Sequence, residues 1–75
     1  MSKGSVYLDI PGVGRVIVIW DKLFFKIRLS LDGLEIRKEV FYEPSHLIET
    51  HLDVVKEVFE IRAVSPLGYV LMKIS

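Results

Sequence analysis

Few side chains in this sequence are placed to do chemistry, and Lys38 and His51 stand out among them. Each interrupts an otherwise apolar face. Lys38 lies between Ile36 and Val40 at a spacing of two, and His51 falls among Leu47, Ile48, Leu52, Val54, Val55 and Val58 when that segment is wound as a helix. Burial favours the neutral form of such groups, which suits them to acid-base work near neutral pH, and Tyr42 stands two positions past Val40 on the same face. No carboxylate or nucleophile completes the constellation. A snorkelling lysine and a hydrogen-bonded core histidine account for the pair more simply than a small enzyme or ligand pocket does.

The second group is basic. If the turns fall at Asp21–Lys22 and Asp32–Gly33, then Arg15, Arg28 and Arg37 stand side by side on one sheet face, with Lys26 next in line. Three adjacent guanidinium groups repel unless something anionic lies among them. Asp9 and Glu35 could supply this from within, and a phosphate could supply it from outside. With Trp20 or Tyr7 as stacking groups, the row would suit a nucleic-acid-binding surface. Against that reading stand zero net charge, with ten basic and ten acidic side chains, and the acidic neighbours Glu35, Glu39 and Glu43.

Other chemistry is weaker. His46, Glu49 and Asp53 would share a helix face, but a solvated helix face normally carries such residues, and no metal or cofactor is expected. The glycines of "PGVGR" lack a following helix and lysine and read as a hairpin turn. Without cysteine there are no disulfides and no thiolate ligands or nucleophiles.

The elements that must position these residues are mostly strands. Glycine and proline divide the chain into "SVYLDI", "GRVIVIW", "LFFKIRLSL", "LEIRKEVFY", a segment from Ser45, "VFEIRAV" and "YVLMKI". In "SHLIETHLDVVKEVFE" the apolar residues fall within an arc of about 160° at helical spacing, and Pro44 and Ser45 offer an entry and cap. The spacing predicts a helix over 45–57. A rival reading ends it near Thr50 and begins a long strand at Val54.

The expected fold is α+β, ordered β-β-β-β-α-β-β, with a mostly antiparallel sheet and the helix on its inner face. Residues 1–4 are expected to be a flexible N-terminus and 5–75 a single domain. The hairpin registers set Asp9 beside Arg15, Tyr7 beside Ile17, Val18 beside Phe25, Leu29 beside Ile36, Ile27 beside Lys38 and Ile61 beside Met72. On the outer face Tyr7, Ile17, Ile19, Phe24 and Phe41 then form an apolar patch. Either the 58–74 hairpin covers it, making a sandwich, or a second chain does.

At 75 residues the domain is near the lower limit for a self-sufficient core, which favours a shared one. The function expected is a non-catalytic protein-interaction module, self-associating as a homodimer through the apolar face or an edge strand. No apolar run approaches a membrane span, so a soluble, cytoplasmic protein is expected. Absence of Asn, Gln and Cys matches the compositional drift of hyperthermophile proteins.

Overall fold

The computed structural model describes residues 3–21, 26–40, 45–65 and 68–75. Among them are seven strands and no helix: β1 (Lys3–Ile10), β2 (Gly14–Asp21), β3 (Lys26–Leu31), β4 (Leu34–Val40), β5 (Ser45–Leu52), β6 (Val55–Ser65) and β7 (Gly68–Lys73). The first four form one antiparallel sheet in the order β1-β2-β3-β4, and the last three form another in the order β5-β6-β7. The fold is therefore all-β, and the expected α+β fold is corrected.

The correction centres on 45–57, the span read as a helix. It is instead a β-hairpin, β5 turning at Asp53–Val54 into β6, with Leu52 opposite Val55 and Ile48 opposite Phe59. The alternation that decides it is visible in the burial: Ile48 and Leu52 are buried, while Leu47, Glu49 and His51 are exposed. Leu47, Val54 and Val55 supplied much of the apparent helical stripe, yet they are 55%, 84% and 57% exposed and line no core. Asp53 makes the reversal by adopting a left-handed conformation, φ 63°, which short polar side chains tolerate.

Two other turns follow their residue types. Pro11 fixes φ for the first central position of a tight turn and Gly12, at φ 78°, takes the second, while the Val13 N–H donates to the Ile10 carbonyl at 3.0 Å. This gives the expected register of β1 on β2, Asp9 opposite Arg15 and Tyr7 opposite Ile17. At Asp32–Gly33 both residues have positive φ, 49° and 87°, as a two-residue hairpin loop requires. Asp32 also ties the two turns together: its N–H donates to the Arg15 carbonyl and its carboxylate accepts from the Arg15 N–H, both at 3.0 Å.

The remaining registers differ from expectation. Val18 pairs with Leu29, not Phe25, because Asp21 lies within β2 opposite Lys26 and so does not form the turn expected at Asp21–Lys22. That is a slip of four, an even number, so Val16 and Val18 still share a face with Ile27 and Leu29. Past Leu31–Leu34 and Ser30–Glu35, β4 carries an extra residue at Ile36, so Leu29 faces Arg37 and Arg28 faces Lys38. A second irregularity near Val64 sets Ile61 opposite Leu71, not Met72.

The two sheets pack face to face as a sandwich around one core. Val16, Val18, Trp20, Ile27 and Leu29 come from the first sheet, and Ile48, Leu52, Phe59, Ile61, Tyr69 and Leu71 from the second. Val6, Leu8, Ile10, Leu31, Ile36 and Ala63 close the margins. The Trp20 and Tyr69 rings meet across the layers at 4.7 Å between centroids, tilted by 58°. The second sheet thus covers the inner face of the first, the position expected for the helix, and among the described residues no element covers the outer face.

Candidate interaction surface

The outer face of the first sheet is built by the alternate residues of its four strands. Reading across the register, one row is Tyr7, Ile17, Ser30 and Glu35, and the next is Ser5, Ile19, Arg28 and Lys38. Tyr7 and Ile19 are 60% and 43% exposed, and Ile17 is half-buried between them. Three of the five residues expected in the apolar patch therefore share this face. The other two, Phe24 and Phe41, lie outside the described residues.

The expected arginine row is not there. Each arginine has its own carboxylate. Arg15 donates from Nε to Asp9 Oδ1 at 2.7 Å and from a terminal nitrogen to Oδ2 at 3.1 Å, and its guanidinium carbon lies 4.2 Å from the Tyr7 ring centre. Arg28 reaches Glu35 at 3.6 Å, and Arg37 reaches Glu39 at 3.1 Å. Asp32 takes the place across from Arg15 that had been expected for Arg28. Lys26 sits opposite Asp21 and Val40. Trp20, expected as a stacking group, is buried in the core and meets no solvent-borne base.

Hydrogen bonding from Arg15 holds the Asp9 carboxyl below its ordinary value of 3.8 and raises the Arg15 guanidinium in turn. The folded carboxyl binds its proton less tightly than the unfolded one. The pair's contribution is therefore whole above the ordinary carboxylate range and is lost as pH falls through the lowered folded value. Urea midpoints of the wild type and Asp9→Asn should differ at pH 7 and converge at the acid end of the range. A gap that persists unchanged at acid pH would exclude an ionic origin.

Lys38 and His51 do not meet. The extra residue at Ile36 turns Lys38 outward on the first sheet, opposite Arg28, and His51 is exposed on the outer face of the second sheet. Both layers of the sandwich lie between them, which removes the expected pocket. His46, Glu49 and Asp53 likewise part company, with His46 half-buried on the inner side of β5 and Glu49 on its outer side. Among the described residues no group of three metal-ligating side chains occurs, and no helix is long and apolar enough to cross a membrane.

What the sequence reading missed is the contrast between the two flanks of the sandwich. On one flank β4 and β5 are joined by the chain and bridged by His46 Nε2 and Glu39 Oε1 at 2.7 Å. Four of the seven residues of β4 are charged, and it bulges, both features that discourage pairing with another chain. On the other flank β1 has charges only at Lys3 and Asp9, and β7 only at Lys73. Between them lies an open cleft of about 360 Å³ lined by Ser5, Val6, Tyr7, Tyr69, Val70 and Leu71. Beyond it, Val70, Met72 and Ile74 lie at alternate positions along the end of the chain, each at least a third exposed. Alternation in "YVLMKI" and the sparse charge of "KGSVYLDI" were the signals available for this flank.

Comparison with protein-family models, with curated proteins and with solved structures finds no match for this chain.

Proposed function

We propose that this protein is a non-catalytic interaction module that self-associates as a homodimer on the β1 flank of the sandwich. The observation that carries the reading is the apolar surface of exposed Tyr7 and Ile19 and half-buried Ile17 beside an edge strand charged only at Lys3 and Asp9, near its two ends. An unprotected edge is a template for another strand, and a small domain gains most from burying more apolar surface. The nucleic-acid reading has less support, since Arg15, Arg28 and Arg37 are each occupied by a carboxylate and the chain carries no net charge.

Light scattering across a concentration series tests it. The wild type is expected to run as a dimer. Ile19→Glu, which places a charge on the outer face without touching the core, is expected to shift the monomer-dimer midpoint upward by at least about tenfold, the equivalent of about 1.4 kcal/mol. A wild type that stays monomeric at the highest concentration overturns the proposal. A salt-dependent mobility shift with DNA or RNA, lost in Arg28→Glu, would move the assignment to nucleic acid.

A further inference from the structure

β1 is complementary to itself. Resting on the reading of a homodimer, we infer that the occupant of its free edge is β1 of a second copy, antiparallel and centred on Val6, so that the two first sheets join into one. The warrant is the order of residues along the strand. Lys3 and Asp9, its only charged residues, stand three positions either side of Val6. In the register centred there, Lys3 falls opposite Asp9 of the second copy, and the pairing occurs twice by symmetry.

Size matches as well as charge. The same register sets Gly4 opposite the second copy's Leu8 and Ser5 opposite its Tyr7, a small residue against a large one at every unequal position. Val6 meets Val6 on the axis. Centring the pair on Ser5 or Tyr7 instead leaves Lys3 and Asp9 unmatched.

Parity is preserved too. Val6 and Leu8 pack at the margin of the core, whereas Ser5, Tyr7 and Asp9 are exposed. Pairing about Val6 keeps even positions with even ones, so inner residues stay inner across the junction. Such an interface is isologous and closes at two chains, so it does not propagate into a fibre. Ser5 also separates Ile19 from the second copy's Tyr7, and its small side chain leaves that ring room to reach over to Ile19. An open cleft runs along the middle of β1 at Ser5–Tyr7, with Tyr69, Val70 and Leu71 of β7 on its far side. On the opposite flank, β4 has neither the sparse charge nor the palindromic order.

The protein contains no cysteine, so single thiols report the register directly. In Val6→Cys the two thiols face each other across the axis and mild oxidation should link most of the protein as a covalent dimer. Ser5→Cys places them on a diagonal, beyond ready disulfide reach, and should link severalfold less. Light scattering on both reduced variants keeps the two claims apart. A reduced dimer in which Ser5→Cys links as well as or better than Val6→Cys, or in which neither links, overturns this register and leaves self-association standing. Reduced proteins that are monomeric, with no linkage, overturn both. Preferential linkage of Val6→Cys supports the inference.

Discussion

Phe59→Ala is expected to cost about 3–5 kcal/mol, the usual range for emptying a large aromatic from a core that cannot collapse around the gap. Phe59 is fully buried in β6, the central strand of the second sheet, with Ile48 across one side of the ladder and Lys73 across the other. At roughly 0.05–0.15 kcal/mol per residue, a chain of this length has a total stability of about 4–11 kcal/mol, so the variant loses about a quarter of it or more. Urea unfolding followed by far-ultraviolet circular dichroism should show the midpoint falling in the same proportion, with little change in slope for any population that remains folded. Val64→Ala, at a position 61% exposed, removes a similar kind of apolar surface from the outside of the same strand and should change stability by less than about 0.5 kcal/mol. Equal losses in the two variants would mean that the layers do not meet where Phe59 stands.

That contrast also explains what could and could not be read from the residues alone. Turn chemistry was legible: Pro11–Gly12 and Asp32–Gly33 require the conformations they adopt, and the first of them fixed Asp9 against Arg15 correctly. Most of the inner face of the first sheet was legible too, because the slip between β2 and β3 was an even one and left Val16, Val18, Ile27 and Leu29 on their side. Single-residue insertions were not. The bulge at Ile36 sent Lys38 outward and gave Arg28 a lysine neighbour in place of Arg37. Nothing in the residue types of "LEIRKEV" marks which of its positions goes unpaired. The helix was misread for a related reason. An arc drawn through Leu47, Ile48, Val54 and Val55 assumes that all of them are buried, whereas the hairpin buries Ile48 and Leu52 and exposes the rest. The period-two order of Ile48, Thr50 and Leu52 was the competing signal, and packing against Phe59 and Ile61 is what lets it win.

The candidate surface was half legible for the same reasons. Tyr7, Ile17 and Ile19 follow from one proline-glycine turn and a period of two. The arginine row depended on two registers, both of which moved, so its members separated onto different carboxylates. The free flank at β1 and β7 was legible only as sparse charge and alternation in its two strands, because which strands become edges depends on how the sheets divide.

Gly4→Ala is the second large effect, and it bears on the edge strand itself. Gly4 stands opposite Trp20 in the ladder, and a Cβ added there would come within 3 Å of three atoms of the indole ring. The ring cannot swing away freely, since its other neighbour is Tyr69 of the facing sheet. Overpacking of this kind costs about 1–3 kcal/mol. Trp20→Phe shortens the side chain and removes the part of the ring that Gly4 accommodates, so in that background the alanine should cost little. It should even gain a few tenths of a kcal/mol from the less flexible unfolded chain. The double-mutant cycle should therefore show a coupling of about 0.5–3 kcal/mol, read from urea midpoints of the four proteins. Additive losses would mean that the indole does not lie over Gly4. The sign of the coupling matters for association as well. If Trp20 fixes β1 by lying against its glycine, then Gly4→Ala displaces the strand whose free edge is the proposed interface. The dimer should weaken in the single variant and recover with Trp20→Phe. A variant that loses stability but dimerises as tightly as the wild type would separate the anchoring of β1 from the surface it presents.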